Sequence, residues 1–359
     1  MHVISRYNQG GTAAWLNVLI EEQRKLGHEV QLLAGYVQGE EAEDSGFTRL
    51  GGIHIANLGK QISIFSDLKA LLEVRTQIKR FKPDIVNTHT SKAGMIGRLA
   101  AFSLFKNRPT IIHTYHGHIL YGYYGKLATK VFTFIEIVLS FMTDLFLVSG
   151  KKVERELRAV KVIRKTPTIQ ARPGIEDTYL NREFKNDSSL VVGWLGRLTK
   201  IKRPDRVIQI AKNFPQVKFS IGGEGELKSE LINSAPPNVE FLGWVKSSEF
   251  WNRCDIALLT SDNEAQPIAV IEAAMHALPI IAENVGSVAD VVTDMQNGIL
   301  VNSDEQRSSA LKILLEDENL RIRLGQVARQ KAQEEFSIKQ FIEAHEQAYE
   351  KALELSKSH

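Results

Sequence analysis

Apolar, β-rich runs alternate with helical periods almost from one end of the chain to the other, and this alternation restricts the fold more than any other feature. Strands separated by helix-length segments do not pair as hairpins; they form parallel sheets joined by helical crossovers. In the first half the strand segments are HVISR, EVQLLAGY, DIVNTHT, TIIHTYHG and DLFLVSG. Helical stretches begin near Thr12, Ser66, Lys92 and Lys126, several of them closing at turn signals such as LGH and FKPD. The pattern pauses at Arg172-Pro173-Gly174, and the polar run EDTYLNREFKNDSS follows. A second series then starts: LVVGWLGR, VKFSIGG, VEFLGW, DIALLTS, PIIAEN and GILVN. Two doubly wound halves therefore flank one linker, and 359 residues suffice for each half to bury its own core.

The expected fold class is α/β, with a first Rossmann-like domain over residues 1–172, a second over 173–335 and a closing helix over 336–359. In that last helix the spacing of Phe341, Ala344, Ala348 and Leu355 gives an apolar stripe suited to packing back across the first domain. Doubly wound sheets bind ligands beyond the carboxyl ends of their strands, so two such domains facing one another would hold a ligand in the cleft.

Composition narrows the function by exclusion. A net charge of +3, with no aromatic-rich RNA-binding signature and no zinc-finger spacing, does not indicate a nucleic-acid partner. The single cysteine, Cys254, excludes an intrachain disulfide, and the opening MHVISRYNQGG lacks a charged segment followed by an apolar one. Both features lead us to expect a cytoplasmic protein. The stretch 131–148, VFTFIEIVLSFMTDLFLV, comes nearest to a membrane span, but Glu136 and Asp144 interrupt it and a helix-to-strand break fits it better.

The residues just after the strands carry the chemistry. In NQGGTAAW, Gly10 and Gly11 lead into a helix, where paired glycines admit a ligand close to the backbone and helix amides favour an anion. A plain tight turn is the alternative, since the third glycine of a dinucleotide fingerprint is missing. IIHTYHGHILYGYYG contains His113, His116 and His118, but strand alternation sends His116 and His118 to one side and His113 to the other, which argues against a three-histidine metal site. His116, at the strand end beside a glycine, is placed to contact a substrate; His113 reads as core, and His118 stays open. In GWLGRLTKIKRPD, Arg197 and Lys202 are spaced to curl over one loop as a clamp for a diphosphate, while Lys200 and Arg203 read as solvated neighbours. IGGEGEL puts Gly222 and Gly223 at a further strand end, although Glu226 and Leu227 break the dinucleotide pattern.

The most informative stretch is NEAQPIAVIEAA, residues 263–274. Glu264 falls in the loop after a strand, Pro267 suits the first turn of a helix, and Glu272 lies about one and a half turns farther on, able to lean toward the helix N-terminus. One carboxylate then serves a group near the loop, the other serves hydroxyls beside the helix, and free amides between them meet a negative group. That layout suits a sugar joined to a diphosphate and a ribose. An N-terminal charge for Glu264 and a surface salt bridge for Glu272 are the alternatives, the second weakened by the apolar sequence around Glu272.

Taken together, QGGT, PDIVNTHTSKAGMIGRLAA, HTYHGH, GRLTKIKRPD, IGGEGEL and NEAQPIAVIEAAMHALPIIAENVGSVADVV resemble the retaining, GT-B-fold glycosyltransferases of family GT4 over essentially the whole chain. The resemblance implies that Arg197 and Lys202 bind a donor diphosphate, Glu272 its ribose and Glu264 the transferred sugar. It also implies that backbone groups from Ala265 through Gln266, Pro267 and Ile268 to Ala269 line the sugar and phosphates. His116 would match the first-domain histidine near the reactive face of the sugar, and Gly10-Gly11 the glycine loop. The family often has glycine where this chain has Ala265, and the asparagine frequent in its linker strand has no equivalent in ARPGIED. The wording of the first-domain motifs is similar to members that build bacterial surface polysaccharides and lipid-linked glycans.

The resemblance thus implies a nucleotide-sugar donor, UDP by preference, and a glycan or lipid-linked acceptor. No Asp-X-Asp motif is present and Asp262-Asn263-Glu264 reads as loop, so no metal or other cofactor is expected. Two rivals stay open: a two-lobed sugar-nucleotide epimerase, which would release no free nucleotide in step with a glycosylated acceptor, and a donor-binding but catalytically silent partner protein. An NAD-linked oxidoreductase lacks its fingerprint in either half. Residues 151–172 also form a basic segment, with eight cations against Glu154 and Glu156, that suits either peripheral contact with an anionic membrane or a solvated helix face.

Overall fold

The computed structural model of the protein describes residues 1–38, 42–59, 63–117, 120, 125–179 and 190–357. His118 and most of the polar run after the linker lie outside these residues. The chain forms two compact units, Met1–Gly174 with Ile338–His359, and Ile175–Ser337.

The first unit contains strands β1 (His2–Ile4), β2 (Leu32–Ala34), β3 (Ile53–His54), β4 (Ile85–His89), β5 (Thr110–Tyr115), β6 (Leu145–Val148) and β7 (Thr168–Gln170). They make one parallel sheet in the order β3-β2-β1-β4-β5-β6-β7. Its helices are α1 (Gly11–Lys25), α2 (Gly46–Arg49), α3 (Ile64–Phe81), α4 (Ser91–Phe102), α5 (Lys126–Ser140) and α6 (Lys151–Ala159). The second unit contains α7 (Asp205–Asn213), α8 (Lys228–Ser234), α9 (Ser247–Trp251), α10 (Ile268–Met275), α11 (Val288–Val291), α12 (Asp304–Glu316) and α13 (Glu318–Phe336). Its strands are β8 (Val191–Leu195), β9 (Lys218–Gly222), β10 (Val239–Gly243), β11 (Ile256–Leu259), β12 (Ile280–Glu283) and β13 (Ile299–Val301), parallel in the order β10-β9-β8-β11-β12-β13. The last helix, α14 (Ile338–Lys357), belongs to the first unit.

Each sheet reverses its winding direction once, between β1 and β4 and between β8 and β11. At such a point the loops leaving two neighbouring strands diverge to opposite faces and leave a crevice beyond the strand ends.

Neighbouring residues of one strand serve opposite cores in the first unit, as a period of two requires. Ile4 and Ile112 pack under α1 and α14 with Leu16, Leu19, Phe341 and Ala348, whereas Val3 and Ile111 pack under α3 and α4 with Val74, Ile78 and Ile96. The α14 stripe runs through Phe341, Ala348, Tyr349 and Ala352, and Phe341 meets the edge of the Trp15 ring at 5.0 Å. A side chain at Gly174 would place its Cβ 2.8 Å from Phe341 Cβ, so the chain turns out of the first unit on a glycine.

The 131–148 stretch is divided as expected: α5 ends at Ser140 and β6 begins at Leu145. Glu136 is buried, where Arg98 and the Tyr115 hydroxyl each donate to its Oε2, at 2.8 and 2.7 Å. Among the described residues no helix is long and apolar enough to cross a membrane.

Candidate donor and histidine sites

In the second unit the two loops at the β8/β11 reversal are stitched together by hydrogen bonds. The Trp194 indole Nε1–H donates to Thr260 Oγ1 at 2.9 Å, and that hydroxyl donates to the Lys202 carbonyl at 3.0 Å. The Asp262 N–H bonds the Ile201 carbonyl at 2.9 Å, and Arg206 donates to the Thr260 carbonyl at 2.7 Å. This frame brings Lys202 to Glu264: Lys202 Nζ and Ser261 Oγ both donate to Glu264 Oε1 at 2.6 Å. Glu264 is only 5% exposed while the Lys202 side chain is 27% exposed, so the contact is part-buried, with its carboxylate end held in the interior. Glu264 is therefore a fixed acceptor, held in place by the cation that the sequence pairs with a diphosphate.

Arg197, two residues beyond β8, is exposed and has no ion-pair partner among the described residues. Arg203, in contrast, is not simply solvated: it pairs with Asp205 at 2.7 Å and reaches Asp262 at 3.4 Å, while Arg206 holds Asp262 at 2.9 Å. The acidic near-miss around Asp262 is thus committed to arginines. Ala265 is exposed, Gln266 and Ala269 are partly exposed, Pro267 caps α10, and Ile268 opens it. No acidic residue occupies the first turn of α10, so the partial positive charge of its N-terminus is not neutralised from within.

Glu272 lies in the second turn of α10. Burial pushes its carboxyl up to about 7, with Ser247 and Trp251 of α9 pulling the other way. Gly222 ends β9 and Gly223 follows it, and their immediate demand is packing: a Cβ on Gly223, at φ 123°, would fall 1.9 Å from the Gly196 carbonyl oxygen. Gly286 and Ser287 carry no expectation from the sequence. The Ser287 N–H donates to the Glu264 carbonyl at 2.7 Å, and Gly286, at φ 56°, passes so close that a Cβ would lie 1.9 Å from the same oxygen. The signal was present as a glycine after the strand PIIAEN.

In the first unit, Gly10 has φ 151° and a Cβ added there would meet nothing within 4 Å, so its backbone angle rather than crowding calls for glycine. The turn is open, with Gly10 and Gly11 both exposed at the start of α1. Before α4, Thr90 takes φ 64°, a backbone state that costs a residue other than glycine about 1–3 kcal/mol. Its hydroxyl meets Ser5 Oγ at 2.7 Å, and Ser5 Oγ accepts from the Ala93 N–H at 3.0 Å, tying the end of β1 to the start of α4.

His116 follows β5, half-buried against the edge of Trp15 at 4.7 Å. Its Nε2 lies 3.0 Å from His89 Nδ1, His89 Nε2 lies 3.0 Å from His2 Nδ1, and His2 Nε2 lies 3.0 Å from Gln23 Oε1. His2, Gln23 and His89 were not expected; a buried histidine on a strand is hard to tell from core without its partner. His113 is core, buried on the opposite face with Nδ1 2.8 Å from Thr88 Oγ1. Among the described residues no cluster of three or more His, Cys, Asp or Glu is arranged to hold a metal ion.

Comparison with known proteins agrees with this architecture. Residues 9–178 match the model of Glycosyltransferase Family 4, and residues 176–331 that of Glycosyl transferases group 1. The capsular polysaccharide biosynthesis glycosyltransferase CapM of Staphylococcus aureus is 26% identical over 330 residues, covering 84% of this chain and 86% of that protein. An Escherichia coli UDP-Gal:alpha-D-GlcNAc-diphosphoundecaprenol alpha-1,3-galactosyltransferase is 26% identical over 294 residues, covering 75% of this chain and 76% of that protein. Among solved structures, sucrose-phosphate synthase from Thermosynechococcus elongatus superposes with a TM-score of 0.82 at 17% identity, covering 100% of this chain and 99% of that one. Anabaena HepE in complex with UDP gives 0.79 at 16% identity, covering 96% and 98%. The two parallel-sheet units are thus those of a GT-B fold. The chain belongs to the family 4 glycosyltransferases.

Glu272 supplies a test of the geometry that needs no substrate. Its folded-state carboxyl is raised above its ordinary value, so the folded chain loses stability from this group as pH rises from about 4.5 through 7. Glu272→Gln removes that loss. We expect the urea midpoint of the variant to gain on wild type between pH 5 and pH 8; a difference that stays constant over this range would contradict the raised carboxyl.

Proposed function

We propose that the chain moves a sugar from a UDP-sugar to a hydroxyl of a glycan or lipid-linked acceptor, as a hexosyl- or N-acetylhexosaminyltransferase that retains the anomeric configuration and needs no metal. The observation that carries this is the exposed Arg197, which has no ion-pair partner among the described residues, in the loop after β8 that also supplies Lys202 to the Lys202–Glu264 pair, with the N-terminus of α10 following Glu264 in the chain. As the sugar–phosphate bond breaks, negative charge grows on the leaving diphosphate. A guanidinium, an ammonium and helix amides stabilise such charge through fixed dipoles and cations. Lys202 has two roles in this scheme, a clamp for phosphate and an anchor for Glu264, whose carboxylate then stays directed at the sugar. The commitment of Asp262 to Arg203 and Arg206 favours a donor clamp built on cations over one built on an acidic metal motif. The acceptor attacks the face from which the nucleotide leaves, with an oxocarbenium-like sugar between them, and Glu272 takes the ribose hydroxyls. Backbone groups of Ala265 through Ala269, and of the glycine turn Gly222-Gly223, approach donor oxygens.

Support for UDP and for polysaccharide assembly comes from the relatives. CapM is named for capsular polysaccharide biosynthesis, the Escherichia coli enzyme for a UDP-Gal donor and an undecaprenol-linked acceptor, and HepE has been seen with UDP-glucose as well as with UDP. The epimerase and silent-partner alternatives lack any comparable observation.

A membrane-linked acceptor also suits the surface of the first unit. Leu127, Val131, Phe134, Val138 and Phe141 are all exposed, and along α5 and its C-cap they recur at helical spacing on one side, with Lys126 and Lys130 among them. Phe132 and Ile137 of α5 and Val153 and Leu157 of α6 belong to one core with Tyr115, Phe146 and Val148. In the segment 151–172, Arg158 and Lys152 pair with Glu154 and Glu156, whereas Lys151, Arg155, Lys161, Arg164 and Lys165 are exposed. Apolar side chains flanked by cations are the composition of a surface that docks on an anionic bilayer at the inner face of a plasma membrane.

Calorimetric titration of UDP, GDP, ADP and NAD with EDTA present tests the donor assignment. We expect selective UDP binding, weakened about ten- to a hundredfold by Arg197→Ala, as the loss of a charge-assisted hydrogen bond of about 1.5–3 kcal/mol predicts, and weakened also by Glu272→Ala. Binding of NAD alone, or of no nucleotide to folded protein, contradicts it. Co-sedimentation with anionic vesicles tests the membrane contact: binding that falls with salt and with Phe134→Asp is expected, and failure to bind at any ionic strength removes it.

A further inference from the structure

Gln23, His2, His89 and His116 form a continuous hydrogen-bonded row on the face of the first sheet that α1 and α14 cover. The nitrogen–nitrogen contacts are both 3.0 Å, and the ring centroids are 5.3 and 5.2 Å apart with planes inclined by 28°. Such separations are close to the largest that a 3.0 Å contact allows, so each contact lies along the in-plane axis of both rings, where the N–H and the lone pair point. Burial pushes His2 and His116 down to about 3 and His89 well below its ordinary value, so all three rings are neutral at pH 7. A neutral imidazole has one N–H and one lone pair. In a row of such rings the protons all point the same way, and one end decides which.

The deciding end is Gln23. Its Oε1 faces His2 Nε2, while its Nε2 donates to the Tyr349 hydroxyl at 2.8 Å. The amide oxygen only accepts, so His2 carries its proton on Nε2 and presents a bare Nδ1. His89 then donates from Nε2 to His2, and His116 donates from Nε2 to His89. We propose that Gln23, His2 and His89 are positioning residues that fix His116 as its Nε2–H tautomer, leaving Nδ1 as a hydrogen-bond acceptor for the substrate. Among the described residues nothing competes for that nitrogen. A substrate group recognised there must bring a proton of its own, a hydroxyl or an amide N–H; a carboxylate or phosphate oxygen would meet lone pair with lone pair. The ring orientation is fixed together with the tautomer, since any rotation of His116 breaks the row.

Nitrogen-15 NMR of the full-length, histidine-labelled protein reads the tautomers directly, with His116→Gln used for assignment. At pH 7 we expect Nε2 protonated and Nδ1 bare on His2, His89 and His116. Gln23→Met, close in size but without an acceptor, should shift the His116 nitrogens toward averaged tautomers and lower kcat for sugar transfer about tenfold, with the UDP dissociation constant unchanged. A proton on His116 Nδ1 in the wild type overturns the proposal whatever the variant does, as does a Gln23→Met protein with unaltered nitrogen shifts and unaltered kcat. The kinetic arm rests on the function proposed above. The spectra do not, so a His116→Gln protein that transfers sugar normally would refute the substrate contact and is distinguishable from a failure of the row itself.

Discussion

A parallel sheet whose crossovers change direction leaves one gap where neighbouring strand-end loops part, and in both halves of this chain that gap is where charge and polarity collect. Between β8 and β11 the loops would simply separate without internal ties. Trp194, Thr260 and Arg206 supply them, and the product of that stitching is the contact between Lys202 and Glu264. Between β1 and β4 the equivalent tie is the Ser5–Thr90 pair, strong enough to hold Thr90 in a backbone state normally left to glycine. The same topological necessity has thus been met twice, once with an ion pair at a cationic loop and once with paired hydroxyls between β1 and α4.

The two faces of the first sheet show how differently buried polar groups are made tolerable. Between α4 and α5, Arg98 and Glu136 are both buried and pair with each other, and the Tyr115 hydroxyl donates to the same carboxylate oxygen. Under α1 and α14 the buried row is made of histidines instead; they are kept neutral by burial and satisfy one another in sequence. A charged pair of that kind is costly to break, whereas a neutral row transmits orientation without holding net charge in the interior. The second arrangement suits a residue at a strand end whose task depends on which nitrogen bears the proton.

Much of this was legible in the sequence because it is local. Strand–helix alternation marks both sheets, and Arg197, Lys202, Glu264 and His116 were singled out because each follows a strand. What could not be read is what joins distant segments. Lys202 and Glu264 are 62 positions apart and His2 and His89 are 87 apart, and no periodicity relates them. The glycines illustrate a second limit: Gly223 invites interpretation as a ligand contact, yet its first duty is to let β9 pass the Gly196 carbonyl. The face of α5 illustrates a third. Helical spacing identifies an apolar stripe, but only the packing of Glu136 against Arg98 shows that this carboxylate faces inward while Leu127, Val131, Phe134 and Val138 face outward.

The central claim is that the loops at the β8/β11 reversal hold a nucleoside diphosphate through Arg197 and Lys202. A crystal structure with UDP bound tests it most directly. We expect diphosphate oxygens within hydrogen-bond distance of the Arg197 guanidinium and Lys202 Nζ, with the ribose hydroxyls on Glu272. Density for the diphosphate away from both cations would contradict the assignment, however tightly UDP binds.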